Sequence, residues 1–84
     1  MASKHVFAED ELAGLAKQFR VQAKKTRPEA ARELGVSHTS VFNAEEKPQQ
    51  SLFKMRVRLI EAYSPFTVDG PKYLLKRKRR KARS

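Results

Sequence analysis

The chain has 84 residues, with 19 Lys and Arg against 9 Asp and Glu for a formal net charge of +10, and no cysteine. That length allows one domain with a modest core, and the lack of cysteine excludes a disulfide framework and a thiolate metal site. No apolar run approaches the roughly 18 residues of a membrane span and no signal-peptide apolar region opens the chain, so a cytoplasmic protein with no membrane partner is expected.

In chain order, residues 1–6 read as a loose N-terminus and residues 7–64 as the folded domain. Phe7 is placed to staple onto a first helix that starts near Ala8 or Glu9. Its acids Glu9, Asp10 and Glu11 stand where the helix dipole favours negative charge, with Lys24 and Lys25 at the opposite end. Leu12, Leu15, Ala16, Phe19 and Ala23 recur at helical spacing and mark its apolar stripe. Arg20, Lys24 and Lys25 read as a solvated helix end.

Thr26 and Glu29 make a T-x-x-E capping box, so a second helix is expected from about Arg27, with Pro28 tolerated in its first turn. Ala30, Ala31 and Leu34 give this helix one apolar side, and the two alanines permit another backbone to approach closely. Gly35 supplies the left-handed residue that ends it, Val36 can fold back into the core, and Ser37 is a favoured N-cap for a third helix. Two helices joined this tightly form the pattern of a helix-turn-helix, whose second helix enters the DNA major groove. On a wheel of about 100° per residue, Val41 and Ala44 point to one side. His38, Thr39, Phe42, Asn43 and Glu46 fall within an arc of roughly 140° on the other. His, Thr and Asn hydrogen-bond base edges, Asn43 suiting adenine. His38 also admits the reading of an ordinary exposed histidine. Phe42 has two readings, a contact to a thymine methyl or packing under the next helix.

Lys47–Gln50 forms a connection punctuated by Pro48. Ser51 is expected to cap a fourth helix carrying Leu52, Met55, Leu59, Ile60 and Tyr63, stopped by Ser64-Pro65. Arg56 and Arg58 cannot face the same way, so Lys47 and Lys54 are the expected phosphate contacts at the start of this helix. Residues 65–75 are open to three readings: a hairpin, an extended arm over the core, or a strand pairing with a second copy. Pro71 weighs against a regular two-residue hairpin, and an extended arm packing Phe66 and Tyr73 is favoured. If Val68 and Tyr73–Leu75 are not needed by the monomer core, they are the candidate dimer contact. Residues 76–84 form a basic tail. Lys76, Arg77, Lys78, Arg79, Arg80, Lys81 and Arg83 hold 7 of the 19 basic residues, leaving 12 basic against 9 acidic elsewhere. Such a segment is expected to be disordered when free and to bind DNA phosphates, with RNA, an acidic protein or a localisation role as alternatives.

The window Arg27–Glu46 resembles the helix-turn-helix of the Cro and phage-repressor (Xre-like) family. The resemblance rests on Ala31, Gly35 four residues later, Val41 six after that, and Glu45 closing the second helix. It implies a phosphate contact at Arg27 and contacts to bases or adjacent phosphates at Ser37, His38, Thr39 and Asn43. It also implies binding as a dimer to two half-sites one turn apart. The chain departs from the family pattern at Ala44, which is small for its position, and at Glu46 and Lys47, where small residues often end the helix. Glu46 would be repelled by phosphate unless it accepts from a cytosine amino group.

The expectation is an all-α, compact four- to five-helix domain with a helix-turn-helix, a short extended C-terminal arm and a disordered basic tail. Its expected function is that of a dimeric transcriptional regulator, a repressor on a palindromic double-stranded DNA operator, nucleoid-associated in a prokaryotic or phage setting. Two rivals are an antitoxin-type regulator that also holds a toxin, and an adaptor that binds protein or RNA. No Ser/His/Asp set, paired carboxylates or Gly-rich phosphate loop points to an enzyme. His5 and His38 are the only histidines and no ligand spacing connects them, so neither a metal nor another cofactor is expected.

Overall fold

The computed structural model describes residues 7–69 and 74–77. Four helices, α1 (Glu9–Gln22), α2 (Arg27–Leu34), α3 (His38–Glu46) and α4 (Phe53–Tyr63), precede two strands, β1 (Phe66–Asp69) and β2 (Leu74–Arg77). The all-α expectation holds, with four helices rather than five among the described residues and a small antiparallel hairpin added.

Local chemistry accounts for the helix ends. At α1 the Glu11 carboxylate accepts from the Ala8 N–H at 2.8 Å. At α2 the capping box is complete: Thr26 Oγ1 accepts from the Glu29 N–H, and Glu29 accepts from the Thr26 N–H. Gly35 closes α2 at φ 69°, ψ 37°. The Val36 N–H then reaches back to the Ala31 carbonyl at 2.9 Å, so a left-handed residue and a six-to-one bond end the helix together. Ser37 caps α3 by accepting from the Ser40 N–H at 3.0 Å. Ser51 does not cap α4. Leu52 occupies the N-cap position without a side-chain bond.

The buried hydrophobic core consists of Leu12, Ala13, Ala16, Ala30, Ala31, Val41, Ala44, Leu59 and Ile60. More than half of these are alanines, so the helix backbones approach closely and the larger side chains, including Phe7, Leu15, Phe19 and Phe53, pack at the margin. Each buried Leu, Ile or Val contributes about 1.5–3 kcal/mol. A core this small leaves much of the fold to its polar struts.

One such strut is Arg56, which is 0% exposed. Its Nε donates to the Ala44 carbonyl at 2.9 Å, Nη2 to Lys47 O at 2.7 Å, and Nη1 to Gln50 O at 2.7 Å and to Glu9 Oε2 at 3.0 Å. A single guanidinium therefore closes the end of α3, holds the Lys47–Gln50 connection and ties both to the start of α1. Arg58, two residues on, faces outward and donates to the Leu34 carbonyl.

The C-terminal segment corrects the expected extended arm. β1 and β2 pair antiparallel, with Val68 opposite Leu75 and Phe66 opposite Arg77. Pro71, which weighed against a hairpin, falls in sequence between the two paired segments and lies outside the described residues. Val68 and Leu75 are half-buried against the core, and the Phe66 ring meets Phe19 at 5.9 Å between centroids. The Val68 N–H donates to Glu61 on α4 at 3.0 Å. Val68 and Leu75 thus serve the monomer, which removes the premise on which they were candidate dimer contacts. Lys76 and Arg77 belong to β2, so the expected tail starts no earlier than Lys78. The N-terminal residues 1–6, the expected packing of Tyr73 and the tail residues 78–84 lie outside the described residues.

Lys24 adopts φ 62° at the end of α1, where the Lys25 N–H reaches back to the Arg20 carbonyl. A left-handed residue with a Cβ costs about 1–2 kcal/mol, and glycine loses roughly 0.5–1 kcal/mol in chain entropy. Lys24→Gly should therefore raise stability by about 0.5–1 kcal/mol, visible as a Tm increase of about 4 °C. The Tyr63 hydroxyl donates to Glu33 Oε1 at 2.5 Å. Burial, then the bond to the Glu33 carboxylate, pushes the phenol up from 10.0 to about 12. Because the folded value is raised, the stability linked to this proton is fully present below pH 10 and lost as pH rises towards about 12. In the Tyr73→Phe protein, which isolates Tyr63, tyrosinate absorbance should rise near pH 12 while the fold persists; a midpoint at 10 would contradict it.

Candidate nucleic-acid interface

α3 presents two unlike sides. Val41 and Ala44 are 0% exposed and close against the core, as the wheel predicts. His38 and Thr39 are exposed, Phe42 is 40% exposed, and Asn43 is half-buried. The structure thus places all four on the outer side of one helix. Ser37 sits at the head of that helix, where its hydroxyl is used by the cap and by Ser40 Oγ at 3.0 Å.

The angle of α3 is fixed by a carboxylate. Glu45 is 5% exposed and accepts three bonds. Arg20 Nε donates to Oε2 at 2.6 Å, Arg20 Nη2 to Oε1 at 2.8 Å, and Arg27 Nε to Oε1 at 2.9 Å. Arg20 also donates through Nη1 to the Lys25 carbonyl at 2.6 Å. Glu45 therefore joins the end of α1, the start of α2 and the end of α3. The bond to Glu45 raises Arg20 above its already high ordinary value, against the opposing effect of burial. The expectation of Arg20 as a solvated helix end is wrong. Lys25, by contrast, pairs with Glu33 at 2.7 Å on the surface.

Arg27, expected as a phosphate contact, is engaged on three sides within the protein. Its Nε holds Glu45, its Nη2 holds Glu46, and its guanidinium carbon stands 5.0 Å from the centre of the Phe42 ring. A guanidinium over an aromatic face is attractive by about 0.5–1 kcal/mol at an exposed site. Phe42 is thus pinned on the outer side of α3 and is not lodged under α4. Glu46 also pairs with Lys17 of α1 at 2.8 Å. These contacts, Lys17 first, hold its carboxyl below the ordinary value. The acid that seemed misplaced on this face is neutralised within the protein. Lys47 is half-buried at the end of α3, and Lys54 is exposed in the first turn of α4. Neither forms an ion pair among the described residues.

Lys17, Arg20 and Arg56 were not among the expected site residues. A signal for two of them exists in the spacing. Arg20 continues the i, i+4 row of Leu12 and Ala16, and Arg56 lies midway between Leu52 and Ile60 on the row that α4 buries. An arginine on an apolar row is a buried strut when acceptors surround it.

Among the described residues, no group of three or more His, Cys, Asp or Glu could hold a metal ion, and no helix is long and apolar enough to cross a membrane. No protein-family model, curated protein or solved structure matches this chain.

Removing one partner of a buried ion pair costs about 3–5 kcal/mol, because the remaining charge stays desolvated. Glu45→Gln should therefore destabilise the domain by about 3 kcal/mol or more, lowering Tm by more than about 10 °C in thermal unfolding followed by circular dichroism. A fall of only a degree or two would mean that the clamp is not what fixes α3.

Proposed function

We propose that this chain is a non-enzymatic, sequence-specific regulator of transcription that binds double-stranded DNA as a homodimer. α3 docks in the major groove over a palindromic operator, and two copies read half-sites one helical turn, about 34 Å, apart. His38, Thr39, Phe42 and Asn43 read the bases, while Lys47, Lys54 and the basic run Lys76–Arg83 supply positive charge for the backbone phosphates. Occupying the operator excludes polymerase and represses the gene. Such a protein works in the nucleoid of a prokaryote, or on a phage genome within one.

The observation that carries this reading is the two-sidedness of α3. One side is closed completely by Val41 and Ala44, and the other offers hydrogen-bonding and apolar groups with a short glycine turn before it. A face meant only for solvent would favour Lys and Glu. The adaptor reading is favoured by Glu46 and by the absence of Arg from the outer face of α3, and the pairing of that acid with Lys17 and Arg27 weakens the first of these. The balance of charge favours DNA as well, since an excess of basic residues supplies the sequence-independent part of such binding.

Selection of bound duplexes from a random pool at about physiological salt tests the proposal. A palindromic consensus is expected. On that consensus, Asn43→Ala and Thr39→Ala should each cost about 1–3 kcal/mol, with little effect on unrelated duplexes. Recovery of DNA with no consensus would refute sequence reading.

A further inference from the structure

At the outer edge of α3, two cations from different helices converge on a single oxygen. Lys17 Nζ lies 2.8 Å from Glu46 Oε2, and Arg27 Nη2 donates to the same atom. Glu46 is the last residue of α3, where the helix dipole disfavours a carboxylate. Its place there depends on the two cations. All three groups are open to water, their side chains being 22–48% exposed, and exposed pairs of this kind are worth only about 0–1 kcal/mol. The contact can therefore be exchanged for another anion at little cost. Arg27 is held separately, because its Nε remains on the buried Glu45. Its outer nitrogen stays aimed at the same point whether Glu46 is present or not.

We propose that Lys17 and Arg27 form a binding site for a DNA backbone phosphodiester, and that Glu46 occupies this site in the free protein as an internal competitor. This rests on the DNA-binding reading above and adds to it a residue on α1, Lys17, and a lock. The same guanidinium that meets Glu46 stacks on Phe42, so the phosphate site adjoins the base-reading side of α3. Docking exchanges the carboxylate for a phosphate oxygen on the same two donors. Glu46 lowers affinity for every duplex equally, because backbone contacts carry no sequence information. The proportion of binding that depends on base contacts is correspondingly greater.

The test is Glu46→Gln, with dissociation constants measured over a range of salt on the selected consensus and on an unrelated duplex. One additional neutralised phosphate steepens the plot of log K against log salt by about 0.9, which corresponds to about eightfold tighter binding at 0.1 M salt. That gain is expected on both duplexes and should shrink in the Lys17→Gln/Glu46→Gln protein, which keeps only Arg27 at the site. Lys17→Gln alone, which leaves Arg27 on Glu45 and Glu46, should weaken binding and flatten the slope. This arm stands independently if Glu46→Gln melts early. Unchanged affinity and slope in Glu46→Gln overturns the inference, as does a gain that Lys17→Gln leaves undiminished. If the native protein still selects a consensus in that case, only the lock is lost. If no variant binds any duplex, the DNA reading falls with it.

Discussion

The carboxylate of Glu45 carries the arrangement of three helices. A carboxylate desolvated by burial is tolerated only when its oxygens are matched by charged donors, and here two guanidiniums supply them from α1 and α2. Arginine suits this task in a way lysine does not. Its planar fork can grip both oxygens while another nitrogen binds elsewhere, as Arg20 does with the Lys25 carbonyl, and Arg27 divides its nitrogens between Glu45 and Glu46. The outer side of α3 inherits its orientation from this junction. Arg27 is at once a support for the helix and a lid on the Phe42 ring, so the shape of the exposed face and the stability of the core are set by the same contacts.

The distribution of charge acquires a different meaning once the struts are known. Arg20 and Arg56 count towards the formal +10 but lie inside the fold, facing carbonyls and carboxylates. Lys17, Arg27 and Lys25 are on the surface yet already face Glu46, Glu45 and Glu33. The domain's outward positive potential is thus weaker than its composition suggests, and the basic C-terminal run contributes a larger share of long-range attraction to a polyanion.

Much of the architecture was legible because it is local. The Thr26–Glu29 box, the Gly35 stop and the Ser37 cap each satisfy backbone groups within a few residues, and each forms as its sequence implies. The Val41–Ala44 side of α3 was equally readable, since it depends only on helical periodicity. Long-range pairings were not. The apolar rows mark Arg20 and Arg56 as inward-facing, but not the acceptors that receive them, which are separated from them by up to 47 residues. The hairpin was misjudged for a related reason: a proline between two apolar runs says little about the register of the runs themselves. Ser51 failed as a cap because Leu52, without any side-chain acceptor, took the N-cap position.

The burial of Arg56 has a kinetic consequence. Helix ends ordinarily fray, opening one turn at a time without disturbing the rest of the protein. The last turn of α3 and the connection after it are bound to the same guanidinium as the first turn of α1. Unwinding that turn would strip a fully buried cation of its acceptors, so the least expensive route to opening is loss of the whole domain. Amides at the C-terminal end of α3 are therefore expected to exchange their hydrogens only with the free energy of global unfolding, which would keep the outer face of the helix in one orientation.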